Sequence, residues 1–224
     1  MSNSNWFTTT YNSYWKEFSK KPESNYYERD EVFSRIFNPG EIVLDLACGD
    51  GSSSQKIKHI TQKEVYGLDL SETAVRLAKN NGINAVQGSV EQTFPFKKNF
   101  FDTIFWGDNI EHILNPSFTI TEINRVLKPN GRLVISTPNV GYLRYRLHHM
   151  FFGDLADSEY NGKKPWEWTH IRFFSDKIID QFLSENRYEI IHFYGISRRR
   201  IDKIFIQFLP KLFGMIMVVV AKKK

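Results

Sequence analysis

Short apolar runs alternate with amphipathic stretches along most of the chain, and the two patterns predict different elements. A short apolar run bounded by turn residues is typical of a buried β-strand, whereas apolar residues at every third or fourth position are typical of a helix. The predicted strands are residues 41–46, 64–69, 83–87, 101–106, 132–136, 188–194 and 215–220. The predicted helices are residues 26–37, 51–60, 73–80, 115–127, 141–150 and 175–183. This alternation predicts an α/β fold with a parallel, doubly wound sheet, and the last two strands could pair antiparallel.

The turn after the first strand is made of small residues. The sequence VLDLACGDG, residues 43–51, ends the strand with Asp45, and Ala47, Gly49 and Gly51 let a ligand approach the backbone closely. The next helix would point its N-terminal amides at the same place. This order is typical of a nucleotide-binding strand–turn–helix, and an ordinary strand-to-helix turn remains the alternative.

Asp69 ends the second predicted strand. An acid at this position of a mononucleotide-binding unit can accept hydrogen bonds from both ribose hydroxyls. The alternative is a capping role, because the next helix begins near Ser71, which is itself a candidate N-cap. We favour the ribose role, since the residue lies where the strand and the turn require a ligand.

Composition limits the class of protein. The chain has 224 residues, of which 41% are hydrophobic, enough for one sizeable domain with a proper core. Cys48 is the only cysteine, so a disulfide within the chain is impossible and a reducing compartment is expected. We interpret Cys48 as a small buried residue rather than a nucleophile. The N-terminus is polar with no apolar leader, and we expect a cytoplasmic protein.

Positive charge is concentrated late in the chain. The net charge is +5, and basic runs occur at Arg198–Arg200 and Lys222–Lys224. Such runs can contact nucleic acid or anionic lipid, but they are more often simply solvated. We therefore do not expect a nucleic-acid partner on charge alone. The apolar residues 205–209 beside them keep peripheral membrane contact open.

Four segments in a fixed order resemble the class I S-adenosylmethionine-dependent methyltransferases. They are VLDLACGDG (43–51), VYGLDLSETAVRLAK (65–79), AVQGSVEQTFPFKKNFFDTIFWGDNIEHI (85–113) and RVLKPNGRLVISTPN (125–139). The EHI segment and His170-Ile-Arg-Phe-Phe-Ser175 are similar to the ubiquinone-biosynthesis O-methyltransferase type and to relatives in glycan and secondary-metabolite pathways. The resemblance implies a Rossmann-like sheet of seven strands, mostly parallel, with an antiparallel last strand.

The resemblance also implies a cofactor, S-adenosyl-L-methionine, and a set of residues that bind it. The turn would hold the methionine part, Asp69 the ribose, and the remaining residues the adenine or the sulfonium end. The implied cofactor-binding residues are Asp45, Ala47, Gly49, Gly51, Asp69, Leu70, Ser89, Val90, Gly107 and Asp108. One departure is Ala47, which replaces the family's usual first glycine. Asp50 supports this cofactor independently, because its negative charge would repel a pyrophosphate but tolerates a sulfonium ligand.

Catalysis requires a nucleophile aligned for in-line displacement, and a base where the nucleophile carries a proton. His112 and His170 are the candidate catalytic residues, although packing roles are open for both. The sequence Gly107–His112 lacks the Asn/Asp-Pro-Pro-Tyr/Phe box that resembles amino-group methyltransferases, so we expect a hydroxyl acceptor. No cluster of histidine and cysteine residues indicates a zinc site. Asp108, Asn109 and Glu111 could bind Mg²⁺, but three oxygen-bearing residues in a polar segment are commoner without an ion, so we expect no metal.

The predicted organisation is a cap over residues 1–39, a cofactor-binding core over 40–138, an acceptor-side insertion or lid over 139–174, and the rest of the core over 175–224. The insertion should select the acceptor. Its aromatic residues could stack on a sugar, and Arg144 and His148 could meet a phosphate one helical turn apart. The aromatic candidates are Tyr142, Tyr145, Tyr160, Trp166 and Trp168.

These patterns favour methyl transfer to a small-molecule hydroxyl, with a nucleotide-linked sugar or glycan intermediate as the suggested acceptor class. An RNA methyltransferase and a non-catalytic methyltransferase-like subunit are the alternatives. The first is suggested by the basic runs, although no separate RNA-binding module is evident. Retention of both Asp45 and Asp69 argues against the second. The sequence carries no information on the oligomeric state.

Overall fold

The computed structural model describes residues 3–18, 28–153 and 169–224, and within them seven strands form one sheet. The strands are β1 Val43–Leu46, β2 Val65–Asp69, β3 Asn84–Gln87, β4 Phe101–Gly107, β5 Leu127–Pro138, β6 Tyr188–Ile196 and β7 Ile216–Lys223. Their order in the sheet is β3-β2-β1-β4-β5-β7-β6. Strand β1 pairs parallel with β2, and β2 with β3. Strand β7 is antiparallel to both β5 and β6, which confirms the predicted fold class.

The helices alternate with these strands as the sequence predicts. They are α1 Asn3–Phe18, α2 Phe33–Ile36, α3 Ser52–Thr61, α4 Glu72–Asn80, α5 Pro116–Val126, α6 Leu143–Phe152, α7 Asp176–Glu185, α8 Arg200–Phe205 and α9 Pro210–Phe213. Chain order reverses between β1 and β4, which are neighbours in the sheet although β2 and β3 come between them in sequence. In open α/β sheets, ligands bind at such a reversal, beyond the carboxyl ends of the strands.

Two compact units build the chain. The first comprises Met1–Phe105 and Ser117–Gly131, and the second comprises Trp106–Pro116 and Arg132–Lys224. In the first unit, much of the chain's high aromatic content packs edge to face. Phe33 lies 5.1 Å from Phe105 and 5.2 Å from Phe37, measured between ring centroids. These rings therefore stabilise the core of this unit.

The second unit depends on a buried amide at the end of β5. The Asn139 side chain donates to the carbonyl oxygens of Lys211 and Gly214 and accepts from the N–H of Gly141, each at 2.9 Å. Because unpaired buried backbone groups are costly, this one side chain fixes the turn after β5 against the entry to β7.

Some predicted boundaries are wrong. Residues 28–32 form a 3₁₀ turn before the short helix α2, so the described part of the predicted helix 26–37 is not one continuous helix. Residues 3–18 form a helix where the sequence shows only a loose amphipathic pattern. The predicted basic loop after β6 contains α8 and α9. Strand β5 begins at Leu127 rather than Arg132, and within it Asn130 has a φ of +61°.

None of the helices within the described ranges combines the length and apolar character that crossing a bilayer requires. The apolar residues after β6 lie at the surface instead, with Ile201 62% and Phe208 74% exposed beside the exposed side chains of Arg198–Arg200. Peripheral membrane contact stays a prediction for this segment.

Candidate functional site

The turn between β1 and α3 has a backbone that few residues adopt. Ala47, Gly49 and Gly51 all have positive φ angles, of 56°, 57° and 81°. Glycine takes this left-handed conformation without cost, whereas alanine is disfavoured there by contact of its Cβ with the backbone. The three positions therefore share one conformational requirement, and Ala47 meets it at a cost of about 1 kcal/mol.

Asp50 caps helix α3 from inside this turn. Its carboxylate accepts from the N–H of Ser52 at 3.0 Å and from the hydroxyl of the same residue at 2.8 Å. The N-terminal amides of a helix are where a dinucleotide's pyrophosphate would bind. An acid already bound to the start of α3 opposes such a phosphate both by charge and by occupying a donor.

Asp69 links the end of β2 to two other segments. One oxygen accepts from the N–H of Gly49 at 2.9 Å, and the other accepts from the N–H of Ser71 at 2.8 Å. Ser71 in turn caps α4, accepting from the N–H of Ala74 at 3.2 Å. A carboxylate has about four acceptor positions, so two remain for a ligand. The capping and ligand roles of Asp69 are thus compatible.

Burial changes the acidity of both carboxyl groups that end β1 and β2. Desolvation raises the pKa of Asp45 to about 7, although a hydrogen bond from Ser54 Oγ at 2.5 Å opposes the rise. Desolvation also raises the pKa of Asp69 to about 6, against its two backbone hydrogen bonds. A positively charged ligand beside either carboxylate would stabilise the ionised form.

Helix α1 supplies two residues that the sequence did not identify. The Trp15 ring packs on the turn so closely that a Cβ at Gly49 would collide with it. The side-chain oxygen of Asn12 accepts from the hydroxyl of Ser71 at 2.6 Å and from the N–H of Thr73 at 3.4 Å. The spacing of aromatic residues within residues 1–25 is compatible with an amphipathic helix, but it does not predict that this helix contacts the turn after β1.

The first unit brings the predicted residues Ala47, Gly49, Gly51 and Asp69 together with Asp45. Leu70 follows Asp69 and is half-buried, while Ser89 and Val90 follow β3 in the same unit. The other predicted residues belong to the second unit. They are Gly107, Asp108, His112 and His170.

The second unit contains a cluster of two histidines around a buried acid, Glu111. Ligand atoms of Glu111, His112 and His170 all lie within 4.8 Å of one another. Glu111 is 2% exposed, and one of its oxygens accepts from Thr137 Oγ1 at 3.0 Å. The ring centroids of the two histidines are 4.8 Å apart. In the sequence, the cluster is indicated only by the adjacent Glu111-His112 pair, which follows a strand.

Burial raises the pKa of Glu111 to about 8, and the negative charge of Asp108 adds to the rise. Asp108 has a φ of +46° and accepts from Ser136 Oγ at 2.7 Å. A non-glycine residue in this conformation is uncommon and marks a backbone held in place by its surroundings. The segment after β4 thus carries two acids and one histidine, and the second histidine, His170, comes from a segment later in the chain.

One predicted acceptor contact is wrong. Tyr142 is buried, and its hydroxyl donates to Asp202, so its ring is not available to stack on a sugar. Tyr145 packs edge to face on Tyr142 and remains half-buried. Tyr160, Trp166 and Trp168 lie outside the described residues.

The polar candidates of the insertion lie on α6. Arg144 is exposed, whereas His148 packs on Phe152 with 4.9 Å between ring centroids. No residue of this helix is buried. Its basic face is therefore open to solvent, as a phosphate contact at Arg144 would require.

The chain is similar in sequence to known methyltransferases. Residues 44–135 match the profile of a methyltransferase domain. The protein MJ1252 of Methanocaldococcus jannaschii is 24% identical over 208 residues, which cover 86% of this chain and 80% of that protein. The ubiquinone biosynthesis O-methyltransferase of Dechloromonas aromatica is 32% identical over 129 residues, or 55% of each chain. The malonyl-[acyl-carrier protein] O-methyltransferase of Herminiimonas arsenicoxydans is 38% identical over 106 residues, or 47% of this chain and 40% of that enzyme.

Solved structures show the same fold at low sequence identity. A SAM-dependent methyltransferase from Aquifex aeolicus is similar with a TM-score of 0.66 and 17% identity, covering 95% of this chain and 98% of the other. A methyltransferase solved with the Haloferax volcanii Trm112 methyltransferase activator has a TM-score of 0.69 and 15% identity, covering 95% and 96%. The chain spans only about half the length of the two O-methyltransferases that it matches.

We predict that Ala47→Gly stabilises the protein by about 1 kcal/mol, because glycine removes the strain of the left-handed conformation at this turn. Chemical denaturation measures the change in the free energy of unfolding. The matched control is Ala74→Gly within helix α4, which should lower stability by about 1 kcal/mol. A loss of stability at both positions would show that Ala47 is not strained.

Stability should also depend on pH through Asp45. Its pKa is about 7 in the folded chain against 3.8 for an ordinary aspartate, so the folded state holds the proton more tightly. The corresponding stabilisation is complete below about pH 4 and is lost as the pH rises through about 7. Asp45→Asn stays neutral and should therefore gain stability relative to the wild type, by up to about 4 kcal/mol between pH 4 and pH 8.

Denaturation of both proteins across this pH range measures that difference. Asp102→Asn is the matched control, since Asp102 is half-exposed and paired with Lys128 at 2.7 Å. A difference between Asp45→Asn and the wild type that is constant from pH 4 to pH 8 would mean that Asp45 keeps one protonation state throughout.

Proposed function

We propose that the chain acts as a class I S-adenosylmethionine-dependent methyltransferase, the family to which its sequence and fold are similar, and that it transfers a methyl group from this cofactor to a hydroxyl group of a small molecule. A nucleotide-linked sugar or a glycan intermediate is the acceptor class that we propose. The observation that carries the choice of a hydroxyl is the buried Glu111 beside His112 and His170, a cluster able to take up a proton.

The chemistry of the first unit fits the cofactor. S-adenosylmethionine carries positive charge on its sulfonium and ammonium groups, a ribose diol and an adenine ring. Asp45 and Asp69 are buried carboxylates whose ionised forms a cation would stabilise, and Asp69 keeps acceptor positions for the diol. The left-handed turn at Ala47, Gly49 and Gly51 keeps bulk away from the ligand.

We assign the remaining contacts by the same logic. Leu70, Ser89 and Val90 would border the adenine ring, because they follow the ends of β2 and β3. Gly107 and Asp108 would lie near the sulfonium and ammonium groups, because they follow β4. Trp15 would form an apolar wall over the methionine part, since its ring already packs on Gly49.

Bound cofactor supplies an already activated methyl group. The acceptor oxygen forms the new bond to carbon as the carbon–sulfur bond breaks, and S-adenosylhomocysteine leaves. The acceptor's proton must go to the protein or to solvent, and the Glu111–His112–His170 cluster is the group that we propose receives it. His112 and His170 are the proposed catalytic residues.

Two observations support a small hydroxyl acceptor over an amine or RNA. The segment after β4 lacks the proline-containing box that resembles methyltransferases of adenine or glutamine amino groups, and the similar ubiquinone biosynthesis enzyme is named an O-methyltransferase. The exposed guanidinium of Arg144 on α6 would suit a phosphate-bearing sugar.

Cofactor binding should depend on Asp69. We expect isothermal titration to give micromolar binding of S-adenosylmethionine and S-adenosylhomocysteine and none of NAD. Asp69→Asn should weaken the binding of both ligands at least about tenfold, because the bonds to the ribose are impaired. Asp102→Asn is again the control for loss of a carboxylate. Binding of NAD alone would overturn the family-based cofactor assignment.

Methyl transfer should be found with hydroxyl acceptors. Labelled S-adenosylmethionine is incubated with nucleotide sugars, other hydroxyl compounds, amines and RNA, and the methylated atom is identified by mass spectrometry. We expect His112→Ala to lower kcat by about 10²-fold or more while cofactor affinity stays nearly constant. His59→Ala, an exposed histidine on α3, is the control.

Salt-dependent methyl transfer to RNA would contradict this proposal and would indicate an RNA methyltransferase instead. Cofactor binding without transfer to any acceptor in the panel would favour a non-catalytic subunit. Transfer only to amines would refute the choice of a hydroxyl.

A further inference from the structure

We propose that Glu111, His112 and His170 form a binding site for a divalent transition-metal ion. The inference rests on the proposed function and deepens it, because it states how the cluster activates a hydroxyl. It differs from the expectation from the sequence, which is that there is no metal site. His170 lies too far along the chain from the Glu-His pair to give a recognisable ligand spacing.

The distances suit one ion. The candidate ligand atoms of the three residues lie within 4.8 Å of one another. Nitrogen and oxygen ligands lie about 2.0–2.2 Å from a zinc ion, so two ligands of the same ion are at most about 4.4 Å apart. The observed spread of 4.8 Å exceeds that limit by only about 0.4 Å.

A hydrogen bond fixes the tautomer of His112, with the proton on one ring nitrogen and the lone pair that a metal needs on the other. Its Nδ1 lies 3.0 Å from the carbonyl oxygen of Thr169, which can only accept a hydrogen bond. The proton is therefore on Nδ1, and the lone pair is on Nε2. Histidine ligands of metals commonly donate their other ring N–H to a carbonyl in this manner.

Backbone contacts hold the second histidine beside the first. The N–H groups of Ile171 and Arg172 both donate to the carbonyl oxygen of Glu111, at 2.9 and 3.1 Å. The Arg172 guanidinium also donates to the carbonyl oxygen of Ile113 at 2.7 Å. These bonds fix the segment that carries His170 against the segment that carries Glu111 and His112. The ligand set is thus preorganised.

Charge gives the cluster a reason to bind a cation. The Glu111 carboxyl group is buried, with one oxygen hydrogen-bonded to Thr137, and the Asp108 carboxylate adds negative charge close by. A buried carboxylate needs a proton, an ion pair or a metal to compensate it. A divalent ion would compensate both acids and use the lone pair on His112 Nε2.

The donor set selects the kind of ion. Two imidazoles with one carboxylate suit zinc, manganese, iron or cobalt, whereas magnesium and calcium prefer oxygen ligands alone. Such a three-residue set leaves coordination positions open. A hydroxyl bound at an open position would have a lowered pKa and could pass its proton to solvent near neutral pH. With the ion bound, the two histidines would therefore act as its ligands and solvent would take the proton.

The test uses the full chain treated with a chelator and then titrated with Zn²⁺. We expect one ion per chain by calorimetry, and His170→Ala and Glu111→Gln should each weaken Zn²⁺ binding at least about tenfold. His59→Ala should bind Zn²⁺ like the wild type. Absence of a stoichiometric ion in the wild type, or equal affinity in the ligand variants and the wild type, would overturn the proposal.

A second readout does not depend on any variant folding. Co²⁺ bound to the wild-type chain should give visible absorption bands and a paramagnetically shifted, exchangeable imidazole proton from His112 Nδ1–H. A Co²⁺ spectrum without histidine ligation would refute the site. S-adenosylmethionine binding is measured on the same samples. If the metal is absent while the cofactor binds and a hydroxyl is methylated, the proposed function stands and only the metal site fails.

Discussion

The hydrogen bonds of the Asp69 carboxylate are the constraint on which the first unit's candidate site depends. One side chain joins the turn after β1, through Gly49, to the start of α4, through Ser71. These segments come from two successive strand–helix connections, and only an acceptor with two oxygens can satisfy both N–H groups at once. The same acid therefore shapes the turn and presents acceptor positions to a ligand. A neutral, apolar residue at this place would lose both functions together.

Buried negative charge is the feature that the two units share. Asp45 and Asp69 in the first unit and Glu111 in the second are carboxyl groups whose pKa is raised by burial. Burial of this kind costs stability unless a positive group compensates it. In the first unit, the compensating charge in our proposal is that of S-adenosylmethionine. In the second unit two histidines lie beside the acid, and a bound ion would use them as ligands.

Local sequence was enough to predict the alternating core but not the parts that depend on distant contacts. Strands such as Val65–Asp69 and the Ser71 cap follow from patterns within about ten residues. The burial of Tyr142 does not, because it depends on Asp202, which lies sixty residues away in the sequence. Trp15 on Gly49 and His170 beside Glu111 are of the same kind. Each is a contact between residues far apart in the sequence, and no periodic pattern of residues predicts such a contact.

Ala47 replaces the glycine that is usual in the family that the chain resembles. The effect of this replacement is best judged from the backbone conformation of Ala47. The residue adopts the left-handed conformation that glycine favours, with a φ of +56°. Its cost therefore falls on folding stability rather than on the shape presented to the ligand. The methyl group of Ala47 lies in a turn whose other two left-handed positions, Gly49 and Gly51, carry no side chain. A turn that retains its geometry despite this cost is held by the contacts around it, the hydrogen bond from Gly49 to Asp69 above all.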